Sequence, residues 1–265
     1  MEGKPITAGI DFGSRTIKIV ELLDGKIASF DILDTSSSAI EKIKEKVQSA
    51  GYSHVVATGY GRYLLRDNLL PDKYGHSTVT EIKACALGAN FIDPRCRLVV
   101  DIGGQDFKII EVKGDGSFGH FELNDRCAAG TGRFLEIMAQ VLGYGIEEFG
   151  QEALKAQTFL RISSMCTVFA ESEVISLLTS GRAREEIALA VHYSVVERLY
   201  PLIMKFNLQG DIMLVGGVAL NVCIKDLLAK KLGQEIFVPE NPQIIPALGA
   251  ALIAFSSSQT EKENL

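Results

Sequence analysis

The sequence predicts an α/β protein made of two duplicated lobes, and three observations support this prediction. The segment Asp11–Glu21 recurs ninety residues later as Asp101–Glu111, with five of eleven positions identical. Each copy follows an apolar strand and precedes a turn that contains glycine and aspartate, so each is predicted to form a β-hairpin. The chain has 265 residues, which is enough for two lobes that each have their own core.

The first lobe is predicted to span residues 1–92. Its elements are three strands, a helix, a fourth strand and a second helix, at about 6–12, 16–23, 26–33, 37–50, 54–58 and 80–91. The first helix is amphipathic, because Ile40, Ile43 and Val47 recur at helical spacing. The second helix is rich in small residues, which predicts close packing at a helix crossing.

The second lobe is predicted to span residues 93–265 and to repeat the three strands. Its strands are expected at about 97–102, 106–113, 117–123 and 211–215. Its helices are expected to end near 142 and 178 and to cover about 184–206 and 243–257, with one more helix opened by Gly216-Gly217-Val218-Ala219. The C-terminal helix is a candidate to pack back on the first lobe. The polar tail 256–265 is expected to be frayed.

Composition and charge exclude several classes of function. The net charge of −6 argues against general nucleic-acid binding, and every apolar stretch is too short or too interrupted to span a bilayer. The first residues are predicted to lead directly into a strand, so we expect no signal peptide. Five cysteines, an odd number, indicate reduced thiols or metal ligands rather than a disulfide scaffold. We therefore expect a cytoplasmic protein that binds neither nucleic acid nor membrane.

The two hairpins are predicted to face each other across a cleft and to bind ATP or ADP, because small turn residues and backbone amides can approach phosphate closely. The predicted phosphate contacts are Gly13, Ser14, Arg15, Thr16, Lys18, Gly103, Gly104 and Gln105. Asp11 and Asp101 are expected to hold hydrated Mg²⁺ and to serve catalysis. Gln105 is the candidate for positioning the attacking water; the alternative is that it only hydrogen-bonds a phosphate.

A second group of predicted nucleotide contacts lies beyond the hairpins. The chain has no P-loop. A strand that ends in two glycines before a helix brings backbone close to a ribosyl ligand and places a helix N-terminus near anionic oxygen. The predicted contacts are Gly130, Thr131, Gly216, Gly217, Val218, Asn221 and Gly249.

These motifs, taken in order along the chain, resemble a known superfamily. The order is Asp-x-Gly-Ser, a small-residue helix, Asp-x-Gly-Gly-Gln-Asp, Gly-Gly-Val and Ala-Leu-Gly-Ala. It is similar to that of the acetate and sugar kinases, the Hsp70 chaperone ATPases and actin. The resemblance implies two ribonuclease-H-like lobes with ATP in the nucleotide cleft and a hinge that opens and closes.

Two of the five cysteines stand apart from the others. Cys127 and Cys166 each precede a predicted helix in a polar, small-residue setting, and a helix N-terminus favours a thiolate. Their spacing matches neither a zinc finger nor a ferredoxin. A 4Fe–4S cluster needs four thiolates, which a symmetric dimer with two per chain would supply. The remaining three are expected to be core thiols: Cys85, Cys96 and Cys223.

The sequence around these cysteines resembles a specific ATPase family. Residues 124–134 and 166–173, together with 57–62 and 101–106, look very like the BadF/BadG/BcrA/BcrD-type ATPases. This family includes the activators (component A) of 2-hydroxyacyl-CoA dehydratases, subunits of benzoyl-CoA reductase and the reductases of double-cubane-cluster proteins. The resemblance covers about residues 6–255, and Met165 stands where threonine is expected.

The resemblance implies a homodimer whose bridging 4Fe–4S cluster is bound by Cys127 and Cys166. It further implies an ATP-driven electron transfer, with ferredoxin or flavodoxin as donor and an iron–sulfur enzyme as acceptor. Two alternatives remain open. One is a small-molecule kinase of the amino-sugar type, which Asn124-Asp125 superficially suggests. The other is a non-catalytic nucleotide-gated binding module, which would leave both cysteine motifs without a purpose.

Overall fold

The computed structural model describes residues 6–64, 77–124, 131–162 and 167–263. The chain divides into two compact units. The first comprises Met1–Cys96, Val112–Gly119 and Gln243–Leu265, and the second comprises Arg97–Glu111 and His120–Pro242. No helix in the described ranges is long and apolar enough to cross a membrane.

The first sheet has the strand order β3-β2-β1-β4-β5. Its strands are β1 Ile6–Phe12, β2 Thr16–Leu23, β3 Lys26–Asp34, β4 His54–Thr58 and β5 Ser77–Thr78. β2 is antiparallel to β1 and β3, whereas β4 runs parallel to β1 and β5 parallel to β4. Asp24 and Gly25 connect β2 to β3 with positive φ angles of 57° and 74°, which is the backbone that a two-residue hairpin turn requires.

The helices of the first unit follow its strands. Within the described residues they are α1 Ser37–Ser49, α2 Arg62–Leu64 and α3 Glu81–Ile92, and the C-terminal helix, α9 Ile245–Glu263, joins them. The Ser36 side chain caps α1 by accepting from the Ala39 amide at 3.2 Å. Ile43 and Val47 of α1 are buried, so the predicted amphipathic face does pack into the core.

The second sheet repeats the order of the first. Its strands are β6 Cys96–Ile102, β7 Phe107–Val112, β8 Phe118–Asn124, β9 Asp211–Val215 and β10 Ile236–Phe237. Neighbouring strands follow the order β8-β7-β6-β9-β10, with β7 antiparallel to β6 and β10 parallel to β9. The duplication seen in eleven residues therefore extends to two five-stranded sheets of the same topology in the described part of the chain.

Helices pack with this second sheet to form the larger core. They are α4 Gly132–Leu142, α5 Ile146–Ala153, α6 Thr167–Thr179, α7 Arg184–Ile203 and α8 Val222–Leu232, with a 3₁₀ turn at Gly217–Leu220. Phe107, Phe134 and Phe149 are the largest fully buried side chains of this core. Gly143 ends α4 in the left-handed conformation, as a helix-terminating glycine does.

Helix α9 packs closely on α3 and on β1 of the same unit. A Cβ added at Gly249 would clash with the Ala84 carbonyl, and one at Gly88 would clash with the Ile245 carbonyl. The two helices therefore touch backbone to backbone, and the prediction that small residues serve a helix crossing is confirmed.

The expectation of a frayed tail was wrong, because α9 continues to Glu263. Hydroxyl groups along this stretch bond back to helical carbonyls, as Ser256 does to Leu252 at 3.1 Å and Thr260 does to Ser256 at 3.2 Å. The polar side chains are thereby satisfied within the helix. Ser258 is even buried, with 3% of its surface exposed.

The other differences concern short elements. The sequence did not predict α2, α5, β5 or β10, each of eight residues or fewer. Helix α7 ends at Ile203 rather than at Phe206, soon after Pro201. The two glycines after β9 open a 3₁₀ turn, and α8 begins only after Asn221.

Candidate functional site

The two repeated hairpins close in the same way. The Gly13 amide donates to the Thr16 carbonyl at 3.1 Å, and the Gly103 amide donates to the Asp106 carbonyl at 2.9 Å. In each hairpin the repeated aspartate is the register partner of the repeated lysine. The sequence identity between the copies therefore reflects one backbone design used twice.

Each repeated aspartate is buried beside its lysine. Lys18 Nζ lies 3.0 Å from Asp11 Oδ2, and Lys108 Nζ lies 3.7 Å from Asp101 Oδ2. Lys108 also lies 2.9 Å from Asp106 Oδ2. Asp11 and Asp101 are each 5% exposed, and a carboxylate at that depth requires a nearby cation. Carboxylate oxygens at such positions are also the hard donors that suit Mg²⁺.

Lys108 is a residue that the sequence reasoning missed, although it named Lys18. The signal was present, since the two lysines are identical in the aligned copies. Lys108 is 5% exposed and lies near two carboxylates, so it balances negative charge in the second hairpin as Lys18 does in the first.

A glycine follows the strand beside each aspartate. Gly59 follows β4 and Gly216 follows β9, with φ angles of 88° and 84°. A Cβ added at Gly59 would lie 2.5 Å from Asp11 Oδ1, and one at Gly216 would lie 2.6 Å from Asp101 Oδ1. Both carboxylates therefore face a backbone segment where only glycine fits.

Gly216 was predicted as a site residue, whereas Gly59 was not. The signal for Gly59 is its position after β4, the strand that pairs in parallel with β1. Gly216 has the equivalent position after β9, the neighbour of β6. That equivalence becomes visible only when the strand order is known.

Helix α4 is docked on the turn of the second hairpin. The Gly132 amide donates to the Gly103 carbonyl and the Arg133 amide donates to the Gly104 carbonyl, both at 2.9 Å. Thr131, a predicted nucleotide contact, is fully buried at this helix start. The turn and the helix therefore form one hydrogen-bonded unit.

The turn after β9 adjoins the same helix start. A Cβ added at Gly132 would lie 3.2 Å from the Gly103 oxygen and 3.4 Å from Val218 Cγ2. Three parts of the chain therefore lie close together here: the turn of the second hairpin, the first residue of α4 and the segment Gly217–Leu220. Gly130, another predicted contact, lies outside the described residues.

The tips of both hairpins are exposed to solvent. Ser14 and Arg15 are exposed at the first tip and Gln105 at the second. In the turn after β9, Gly217 is exposed and Val218 is buried. The first tip is braced by Thr35, whose amide donates to the Arg15 carbonyl at 2.9 Å and whose hydroxyl donates to the Gly13 carbonyl at 3.0 Å. Backbone and side-chain groups at these tips are accessible to a ligand.

Asn221 has a structural role of its own at the start of α8. Its side-chain oxygen accepts from the Cys223 and Ile224 amides, each at 3.1 Å, and its Nδ2 lies 2.9 Å from His192 Nε2. His192 Nδ1 lies 2.7 Å from the Ala188 carbonyl, so a neutral ring that donates from Nδ1 and accepts at Nε2 satisfies both contacts. Burial lowers the pKa of His192 to about 4, which keeps the ring neutral.

Gly249 lies in the crossing of α9 with α3, and that packing alone accounts for a glycine there. Its predicted contact with the nucleotide stays a prediction. The same holds for the predicted contact of Asn221, whose side chain is engaged by the helix cap.

The cysteines fall into two groups. Cys85, Cys96 and Cys223 are buried, so their prediction as core residues is confirmed. Burial, with a contribution from Asp226, raises the pKa of Cys223 to about 12, which disfavours its thiolate. Cys127 and Cys166 lie outside the described residues. The helices predicted after them are present, and α6 begins at Thr167, directly after Cys166.

The fold is that of the acetate and sugar kinases, Hsp70 chaperones and actin, as predicted. A ROK family glucokinase from Streptomyces griseus, solved with glucose and AMPPNP, superposes with a TM-score of 0.57 at 13% identity, covering 95% of this chain and 99% of that one. At that identity the likeness concerns the fold alone.

The chain belongs to the BadF/BadG/BcrA/BcrD ATPase family, whose model matches residues 8–254. It is 40% identical to the 2-hydroxyisocaproyl-CoA dehydratase activator of Clostridioides difficile, over 98% of this chain and 99% of that protein. It is 39% identical to the (R)-2-hydroxyglutaryl-CoA dehydratase activating ATPase of Acidaminococcus fermentans, over 95% and 98%. The solved activator of the 2-hydroxyisocaproyl-CoA dehydratase from Clostridium difficile, with bound ADPNP, has a TM-score of 0.88 at 37% identity, covering 98% of each chain.

Proposed function

We propose that the protein is an ATP-dependent electron-transfer activator of an iron–sulfur enzyme. In this proposal a homodimer binds one 4Fe–4S cluster through Cys127 and Cys166 of each chain. ATP binding and hydrolysis drive a low-potential electron into the partner, which is a 2-hydroxyacyl-CoA dehydratase or a double-cubane-cluster protein. The full-length similarity to two proteins named as dehydratase activators supports this assignment.

The nucleotide part of the proposal rests on the paired hairpins. Asp11 and Asp101 are proposed to bind the magnesium ion of Mg–ATP, and Lys18 and Lys108 balance these carboxylates. The exposed hairpin tips offer amides to the phosphates. Gln105, exposed at the second tip, is proposed either to orient the attacking water or to hydrogen-bond a phosphate.

The observation that carries the coupling is the docking of α4 on the second hairpin. Two backbone hydrogen bonds join Gly132 and Arg133 to the carbonyls of Gly103 and Gly104, and Cys127 precedes α4 by five residues. A shift of the turn on phosphate binding would therefore move the start of this helix. A coupling of about 1–3 kcal/mol between two sites is typical of such arrangements.

The cysteine thiols are soft donors of the kind that iron–sulfur clusters require. When bound, the cluster supplies a one-electron carrier, and the residues of this chain hold it and respond to nucleotide. Ferredoxin or flavodoxin is the proposed electron donor.

The test is the iron and sulfide content of anaerobically purified protein. We expect about four iron and four sulfide per dimer, and Cys127→Ala and Cys166→Ala should each abolish the cluster. Cys85→Ala is the matched control, because Cys85 is a buried core residue and its variant should retain the cluster. A Cys127→Ala protein with its full 4Fe–4S absorbance would overturn the assignment, and a colourless protein that phosphorylates an amino sugar would favour the kinase.

A further inference from the structure

We propose that Thr58 is a positioning residue of the magnesium–nucleotide site, and that its hydroxyl accepts a hydrogen bond from a water molecule on the metal held by Asp11. The inference rests on the proposed function, since it requires Mg–nucleotide at the first hairpin. It assigns a ligand-directed role to a residue beyond both hairpins.

Thr58 is the last residue of β4 and the register partner of Asp11 in β1. Side chains of paired residues in neighbouring strands lie on the same face of a sheet. The two side chains therefore adjoin at the end of both strands. Thr58 is 0% exposed.

The Thr58 hydroxyl has no hydrogen-bonding partner among the described residues. Leaving a buried hydroxyl unsatisfied costs about 1–3 kcal/mol, and native proteins contain few such groups. An unpartnered hydroxyl beside a buried carboxylate indicates a ligand that supplies the missing bond.

The surroundings of Asp11 hold its carboxylate beside Thr58. Oδ2 lies 3.0 Å from Lys18 Nζ, whereas Oδ1 faces Gly59, where an added Cβ would lie 2.5 Å away. The Gly61 amide donates to the Phe12 carbonyl at 3.0 Å, which fixes the segment after Thr58 against β1. The absence of a side chain at Gly59 thus lets the segment after Thr58 pack directly against Asp11.

The chemistry of magnesium fits this arrangement. Mg²⁺ is bound by one or two carboxylates and retains several waters, and each of these waters needs an acceptor for its hydrogens. A threonine hydroxyl offers two acceptor lone pairs. Thr58 would therefore orient a metal-bound water while Asp11 binds the metal.

The chain offers a matched control on the same sheet face. Thr7 is also 0% exposed, and its hydroxyl also has no partner among the described residues. It lies four residues before Asp11 on β1, which is about 13 Å along a strand. Replacing either threonine by valine removes a buried hydroxyl at nearly constant volume, but only Thr58 adjoins Asp11.

The experiment is a calorimetric titration of the full-length protein with ADPNP, in magnesium and in EDTA. Thr58→Val should bind Mg–ADPNP about tenfold more weakly than wild type, because one hydrogen bond to a charged metal–water unit is lost. Its affinity in EDTA should be unchanged. Thr58→Ser should retain wild-type affinity, and Thr7→Val should match wild type under both conditions.

Thermal unfolding without nucleotide checks the fold of the variants, since removing an unsatisfied hydroxyl should leave both valine proteins at least as stable as wild type. Wild-type Mg–ADPNP affinity in Thr58→Val, an equal loss in EDTA, or an equal loss in Thr7→Val each overturns the inference. A wild-type protein without magnesium-dependent nucleotide binding overturns the proposed function itself, and this inference with it.

Discussion

The two repeated hairpins share an aspartate cradle but differ in what touches their turns. In both, a buried aspartate pairs with a lysine and faces a glycine of positive φ. The first turn is braced by Thr35 from the end of its own sheet. The second turn instead receives the amides of α4, the helix that follows Cys127.

The difference indicates that the two copies have different roles. Both copies keep the residues that a metal–phosphate unit needs, so both are proposed to bind nucleotide. Only the second copy has a described helix docked on its turn carbonyls, and that helix leads back to a predicted cluster ligand. Both hairpins are therefore proposed to bind nucleotide, whereas only the second hairpin is proposed to transmit nucleotide binding to the cluster.

The largest expected effect tests the shared cradle. Gly59→Ala and Gly216→Ala should each weaken Mg–ADPNP binding at least ~10-fold, because the new Cβ would clash with the carboxylate of Asp11 or Asp101 and with the carbonyl of the residue that follows it. Calorimetric titration measures the affinity. Gly51→Ala and Gly233→Ala are matched controls, since both positions have positive φ but meet no atom within 4 Å.

The controls should lose about 1 kcal/mol of stability through backbone strain and bind nucleotide as wild type does. If only one of the two site variants loses affinity, the cradles are not equivalent and the comparison fails for the other hairpin. If folded variants at both sites keep wild-type affinity, neither aspartate is a metal site.

The sequence predicted the repeated part of this site and missed the part that only topology reveals. Asp11, Asp101 and Lys18 were predicted as site residues because an eleven-residue segment recurs. Gly59 and Thr58 were missed, because a glycine after a strand is an ordinary turn signal and only the pairing of β4 with β1 places them beside Asp11.

The fold was predictable to a similar extent. Long strands and helices carry enough periodicity to be recognised, whereas α5, at eight residues, and β10, at two, do not. The start of α5 depends on the Gly145 amide donating to the Glu148 side chain at 2.9 Å. The continuation of α9 depends on hydroxyl-to-carbonyl bonds, which polar composition alone cannot indicate.

An intermediate effect tests whether the second hairpin transmits nucleotide binding to the cluster. Gly132→Ala places a Cβ 3.2 Å from the Gly103 carbonyl oxygen, so the helix start or the turn must give by a few tenths of an ångström. The variant should bind nucleotide but lose most of the difference between ADP and ADPNP in the reduction potential of the cluster. A difference of about 60 mV in a one-electron couple corresponds to a tenfold change in equilibrium, or about 1.4 kcal/mol.

Anaerobic redox titration and iron chelation with each nucleotide measure this difference. Gly145→Ala is the control, because an added Cβ there has only ordinary contacts, 3.7 Å or longer, with Glu148. A Gly132→Ala protein with the full wild-type difference would show that the docked helix does not carry the coupling. A wild-type protein without any difference would place the gating in the partner enzyme.

The smallest expected effect separates the two units by their response to acid. Burial lowers the pKa of His192 in the second unit to about 4, so the unfolded chain binds a proton at a higher pH than the native state does. Stability should therefore fall as the pH drops below about 6.5, and the loss should be complete near pH 4.

In the first unit burial raises the pKa of Glu21, but hydrogen bonds from Ser29, Tyr52 and Lys46 outweigh it and lower that pKa. The stability that ionised Glu21 contributes is therefore lost only at a pH well below that at which the effect of His192 begins.

The window between pH 7 and 5.5 thus separates the contribution of His192 from that of Glu21. Wild type should lose about 1 kcal/mol of unfolding free energy across it through His192, measured by urea denaturation at each pH. His192→Gln should remove this part of the slope, whereas His120→Gln, which changes an exposed strand residue, should keep it. Equal slopes in wild type and His192→Gln would mean that the ring beside Asn221 does not stay neutral in the folded state. Both ring nitrogens would then be donors, so the acceptor role of Nε2 would have to be abandoned, and with it the orientation of Asn221 that points Nδ2 at the ring.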